Sequence, residues 1–515
     1  MNEKLNDAFN EISEAHISEA AKPKKRIHYI WYSAVAAVLA LGILAGSLPK
    51  PDGPSLSVTE PSTAPWETSI PSTDSTGSTE TVTPSTAPWD PPKPPPADPY
   101  YVNLSAAPQY PVMPQCPKLE DYPDYKTYSA ARTAWQTFIQ QHYSQPEGYA
   151  DSLTNFFYRS TQEFLSQDSN STYSPLNLYM ALAMLAETAG GNSRQQLLDL
   201  FSLSSIEELR TQANYLWNAH YRADGVCRLQ LANALWLDEA FSFRQSTVDK
   251  LAQDYYASTF HGDLGTESIN QQLRQWINHQ TGDLLKDQTQ ELSFPRDTAL
   301  ALVSTIWFTA NWSNRFNENR NTDRLFHTGV KDISTQFMND SQNGTYYRGS
   351  SFGAIRLHLE GSNGMWLILP DEGVSLQTVL QSNEYLQMTL HPEDWENKDK
   401  YYIHLSVPKF DISSNTDLIK GIQNMGITDI FNPAVSNFSP MIEDRQLVVT
   451  QMNHAARVSI DEDGVEAAAV TIIASAPAGS QPSSQEIDFI LDRPFLFVIS
   501  SQDNLPLFAG TVVEP

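Results

Sequence analysis

"EDGVEAAAVTIIASAPAGSQPSSQE", running from Glu462 to Glu486, decides how this chain is read. An acidic glycine turn opens it. From Val465 to Ala476 there is neither proline nor glycine, and Glu466 is the only charge. Pro, Gly, Ser and Gln take over from Pro477 onward. The first half is fit to become a strand, because every residue can donate to a ladder and adopt an extended backbone. Alternate positions Val465, Ala467, Ala469, Thr471 and Ile473 are small or β-branched and suit a buried face, while Glu466 falls on the opposite, solvent-facing set. The alanines have low β-propensity and so hold back premature pairing. Gly464 supplies a pivot free of Cβ constraint. The second half has the composition of an exposed loop.

The rest of the chain sets limits on what such a segment can serve. Of 515 residues, 60 are acidic and 33 basic, a net charge of −27. Phosphate backbones need Lys and Arg to replace counterions, so nucleic acid is not an expected partner. The acidity fits a surface that keeps an exported domain soluble. Two cysteines, Cys116 and Cys227, exclude a disulfide-rich scaffold and a cysteine-based zinc ribbon but leave one bridge open. The eleven histidines are scattered, with no HExxH and no Walker loop, so neither a metal nor a cofactor is expected and no enzyme class is selected.

"HYIWYSAVAAVLALGILAGSL", His28 to Leu48, is mostly apolar. As a helix its 21 residues span roughly 30 Å, the thickness of a bilayer core. Lys22, Lys24, Lys25 and Arg26 precede it and would stay cytoplasmic. Residues 27–48 therefore read as a transmembrane signal-anchor helix, 1–26 as a cytoplasmic tail, and everything after as extracellular at the cell membrane. A cleaved signal peptide, giving a secreted protein, is the competing reading. "LAGS" at Leu44–Ser47 puts serine where a lipidated cysteine would stand, which argues against lipid anchoring.

Residues 49–99 are rich in Pro, Ser and Thr and contain the near repeat "PSTAPWE" and "PSTAPWD", the composition of a disordered, extended stalk. In the N-terminal extension, 100–148, "YPDYKTYSAARTAWQTFIQQHY" predicts one amphipathic helix, with packing as its default role. From 149 to 515, helical patterns come first and β-branched, aromatic runs such as "TALALVSTIWFTANW" and "GMWLILP" come later. That order predicts one large α+β domain with buried sheets.

Four stretches together resemble the serpin family over 149–515. They are "NSTYSPLNLYMALAMLAETAGGNSRQQL" at 170–197, "STIWFTANWSNRF" at 304–316, "FILDRPFLFVI" at 489–499 followed by "PLFAGTVVEP", and the "EDGVEAAAVT" of the opening stretch. The resemblance extends to membrane-anchored bacterial members. It implies three β-sheets with eight to nine helices and an exposed reactive centre loop. It also implies a monomeric serine protease inhibitor rather than an enzyme, in which the cleaved loop inserts into the large sheet and traps the protease as an acyl-enzyme.

Carried over residue by residue, the family pattern makes Glu462, Gly464, Val465, Glu466, Ala467, Ala468 and Ala469 the hinge. Valine stands at 465 where the family prefers Thr or Ser. Fourteen residues beyond the hinge glycine lies Ala478, so the reactive bond is Ala478–Gly479, with Ala476 and Ser480 as alternatives. All three candidate residues are small, which suits elastase-like or subtilisin-like pockets and gives nothing to a trypsin pocket. Ser174, Asn177, Ser304 and His454 match a polar shutter beneath the sheet, with Asn and Ser exchanged at 177 and 304. Lys409, Glu462 and Trp312 match the breach at the top of the sheet, with Lys409 and Glu462 as an ion pair. The alternative from another class is a non-inhibitory member acting as a surface binding module.

Overall fold

The computed structural model describes the backbone of 35–45, and residues 103–465 and 485–515 apart from 109, 112 and 444. The large sheet holds strands β1 (Val35–Ala45), β2 (Leu104–Ala106), β3 (Cys227–Asp238), β4 (Ala257–Gly262), β5 (Thr298–Asn311), β6 (Phe410–Asp417), β7 (Leu447–Ile460) and β8 (Gly464–Val465). Their order is β6-β7-β1-β5-β3-β4-β2, with β8 paired to β5. β1 runs antiparallel to both β7 and β5.

β5 reads almost continuously apolar because both faces of the sheet are covered. Leu300, Leu302, Ile306 and Phe308 share one core with helix α1 (Pro175–Thr188), all of whose residues are buried. Ala301 and Val303 share a second core with Leu273, Trp276 and Ile277 of helix α2 (Glu267–Gln280). The start of α1 follows from local chemistry. Ser174 caps it by accepting from the Asn177 backbone N–H, and Pro175, which has no N–H to satisfy, occupies the first turn.

The other two sheets are linked by the long strand Asp332–Arg348, in the order 486–490, 398–408, 332–348, 352–358, 364–370, 495–500, 506–512 and 171–173. The fold is α+β, as expected. Eleven α-helices are present among the described residues, more than the eight to nine anticipated. Four of them, at 286–289, 376–381, 384–390 and 419–424, are of seven residues or fewer.

The extension packs on the domain. Its helix, Tyr125–Tyr143, buries Ile139 and Tyr143 against Met113 and Tyr221. The Tyr143 hydroxyl donates to the Tyr221 carbonyl at 3.0 Å, and the Cys116 N–H donates to the Asp224 carbonyl at 2.7 Å. Cys116 and Cys227 are both free thiols, so the bridge left open by the sequence does not form in this structure. Burial pushes the Cys227 thiol up to about 12, which makes it a poor nucleophile.

Of residues 27–48, read from the sequence as a membrane helix, the structure describes only 35–45. Within the span read as a membrane helix, Val35–Ala45 is a β-strand between β5 and β7. Among the described residues no helix is long and apolar enough to cross a membrane. The physical reason is that a bilayer and the interior of a doubly covered sheet make the same demand: apolar side chains and complete backbone hydrogen bonding.

Candidate functional site

The hinge begins where β7 ends. Asp461 closes a tight turn, its carboxylate accepting the backbone N–H groups of Asp463 at 2.9 Å and Gly464 at 3.2 Å. Gly464 then lies against Asn311 and Val465 against Ala310, antiparallel to β5. Glycine is required at 464 for two reasons: φ is +156°, and a Cβ would sit 2.4 Å from the Ala310 carbonyl oxygen. Val465 is fully buried. The remaining hinge residues Glu466, Ala467, Ala468 and Ala469, and the bond candidates Ala476, Ala478, Gly479 and Ser480, lie outside the described residues.

Lys409, Glu462 and Trp312 meet at this same end of β5 and β7. Lys409 Nζ stands 2.5 Å from Glu462 Oε1. Burial works against the Glu462 charge, but hydrogen bonds from Lys409 and Asn321 prevail and hold its carboxyl below the usual range. Trp312 donates through its indole to the Asp461 carbonyl at 2.8 Å and through its backbone N–H to the Asp463 carbonyl at 2.9 Å. Arg315 reaches the Asp463 carboxylate at 2.9 Å. Five side chains from three parts of the chain thus hold the 461–464 turn.

Beneath the middle of the sheet, Ser174, Asn177, Ser304 and His454 lie close together and buried. The Ser174 hydroxyl donates to the Leu507 carbonyl at 2.6 Å and accepts from the Asn177 N–H at 3.1 Å. The Asn177 amide nitrogen donates to the Ser304 carbonyl at 3.2 Å. The Ser304 hydroxyl faces two amide oxygens, that of Asn177 at 2.5 Å and that of Asn233 at 2.8 Å. One hydroxyl proton can serve only one of them at a time. His454 accepts the Ser174 N–H at Nε2, 3.0 Å away, and burial pulls its pKa down to about 3, so the ring is neutral.

Asn233 is the residue that sequence reasoning missed. The available signal was a second amide, after Gln230, in the largely apolar strand "LQLANALWL". Asn321 was missed too, for want of any local pattern. The spacing GxSxG does occur at Gly349–Gly353, but Ser351 sits in a connection between two antiparallel strands. A nucleophile elbow needs a strand-to-helix turn, so this match carries no catalytic reading. Among the described residues no group of His, Cys, Asp and Glu could hold a metal.

Comparisons with known proteins identify the family. A family model described as "Serpin (serine protease inhibitor)" matches residues 151–515. The chain is 27% identical to "Alpha-1-antiproteinase 2" of Equus caballus over 390 residues, covering 73% of this chain and 90% of that one. It is 26% identical to the "Leukocyte elastase inhibitor" of Xenopus laevis over 369 residues, covering 68% and 95%. Among solved structures, the native state of the thermophilic serpin Tengpin superposes with a TM-score of 0.62 at 23% identity, covering 72% of this chain and 95% of that one. From the family match over most of its length, the chain belongs to the serpin family of serine protease inhibitors.

Proposed function

We propose that this serpin is a suicide-substrate inhibitor of serine proteases that prefer small residues, elastase-like or subtilisin-like in kind. The observation that carries the reading is the buried, antiparallel pairing of Val465 with Ala310. The chain leaves β7, turns at Gly464 and already runs in the direction an inserting strand must take. No proline or glycine interrupts the next eleven residues, and their single charge is Glu466.

The chemistry balances without any cofactor. The protease serine attacks the carbonyl of Ala478, the bond to the Gly479 nitrogen breaks, and an ester joins Ala478 to the protease while Gly479 becomes a new amino terminus. Extended at about 3.3 Å per residue, Gly464–Ala478 reaches roughly 50 Å, enough to carry the attached protease along the sheet before water cleaves the ester.

Incubation with pancreatic elastase and with subtilisin tests the reading. An SDS-stable covalent band, with release of a fragment whose mass begins at Gly479, is the expected result. A fragment beginning at Pro477 or at Gln481 would move the bond to Ala476 or Ser480. Loop cleavage without a covalent band would sink the inhibitory reading and favour a surface binding module. One feature of the structure favours that second reading: the lane beside β5 is already filled by β1.

A further inference from the structure

The edge of β5 that faces β7 carries two occupants. β8 takes its upper end, with Val465 against Ala310. β1 takes the rest, from Val35 against Phe308 to Leu44 against Thr298. Only Thr309 lies between them on β5. β3 pairs along the opposite edge of the same strand, so β8 and β1 share one lane. On its other side β1 pairs with β7, from Val35 against Val458 to Ala45 against Leu447.

The register makes the correspondence explicit. Val465 pairs with Ala310 and Val35 with Phe308, two positions further along β5, and the β1 register holds from Val35 to Ile43. A loop continuing the β8 register would therefore set Ala467 where Val35 now stands, Ala468 at Ala36, Ala469 at Ala37, Val470 at Val38 and Thr471 at Leu39. The sequences agree in kind. "VAAVLALG" at 35–42 matches "AAAVTIIA" at 467–474, with Ala-Ala-Val identical at the second to fourth positions. Both segments lack charge and proline, as the lane requires, since its walls are buried strands. Leu39 holds the mid-sheet position, with Ser304 as its partner on one side and His454 on the other.

We infer that Val35–Ala45 is a resident plug: a segment of this chain that binds the lane of the reactive loop and must leave before the loop can insert. A plugged molecule offers its loop as a substrate only, and an unplugged one can trap. The inference rests on the inhibitory reading for its consequence but not for its geometry. A fraction of molecules with an open lane scales the observed trapping rate directly, so expelling a plug that fills nine lanes in ten raises that rate about tenfold.

Paired cysteines in the full-length chain test occupancy. Ala40→Cys with Asn453→Cys, and Ala36→Cys with Arg457→Cys, are in register on β7 and are expected to cross-link under mild oxidation, as read by mass spectrometry of the joined peptides. Ala40→Cys with Arg457→Cys is four residues out of register and should not. Equal linking in all three pairs, or none in the first two, overturns the inference. A second variant, Leu39→Asp with Ala40→Asp, puts a charge on each alternate side of β1 and should expel it. Its expected signature is a larger rise in melting temperature on loop cleavage and trapping about tenfold faster than wild type. An unchanged rise on cleavage also overturns the inference. A chain that never forms a covalent complex refutes inhibition alone, because the cross-links report lane occupancy whether or not any protease is trapped.

Discussion

Val465 is the antiparallel partner of Ala310 and is wholly buried, so the reactive segment is already engaged with the large sheet at its first two residues. A charge there cannot stay. An uncompensated buried charge costs about 3–5 kcal/mol, more than the pairing of two residues offsets. Val465→Arg is expected to detach β8 and convert the inhibitor into a substrate. Titrating elastase against the variant should show more cleaved serpin and less covalent complex per molecule than wild type.

Lys409 and Glu462 lock the same end. Removing the lysine leaves Glu462 buried with the Asn321 amide but without its counter-charge. Because Lys409 is one-third exposed, the loss should be at the hydrogen-bond scale, about 1–3 kcal/mol, rather than that of a fully buried pair. Lys409→Ala should lower the denaturant midpoint and speed hydrogen exchange at the end of β5 before the rest of the sheet. Exchange spread evenly over the sheet would count against a local lock.

Asn177 and Ser304 are bonded to each other, which makes their exchange relative to the family pattern directly testable. Asn177→Ser or Ser304→Asn alone leaves buried amide or hydroxyl groups unmatched and should cost about 1–3 kcal/mol each. The double variant restores one amide and one hydroxyl and should recover most of that loss, a non-additivity read from a double-mutant cycle in urea. Strict additivity would show that the two positions do not act as a pair.

His454 predicts an acid limit. Its folded pKa, about 3, lies below the ordinary imidazole value, because burial disfavours the charged ring. The unfolded chain then binds the extra proton first. The stability that His454 contributes is full above about pH 6.5 and is lost progressively as pH falls toward 3. Urea unfolding should show falling stability across that window. His454→Asn, which cannot titrate, should flatten the slope there even though it lowers stability overall.

Much of the architecture is legible along the chain. The apolar runs at 298–311, 364–370 and 495–500 are strands, and the helical patterns at 153–164, 175–188 and 267–280 are helices. Each has a local cause in periodicity, β-branching or capping. The site was legible where a motif names its residues, as with Glu462, Gly464 and Ser174. It was not legible where contact depends on distant strands: Asn233 and Asn321 reach the site only because the sheet and its covering segments bring them there.

By itself, the sequence determined the fold class and a run from Val465 to Ala476 free of proline and glycine, because these depend on residue type at neighbouring positions. Only the tertiary structure decided where Val35–Ala45 goes. An uncharged run of alanine, valine and leucine satisfies lipid as a helix and a sheet lane as a strand equally well. The choice is made by the partners available, and here β5 and β7 stand apart by the width of one strand.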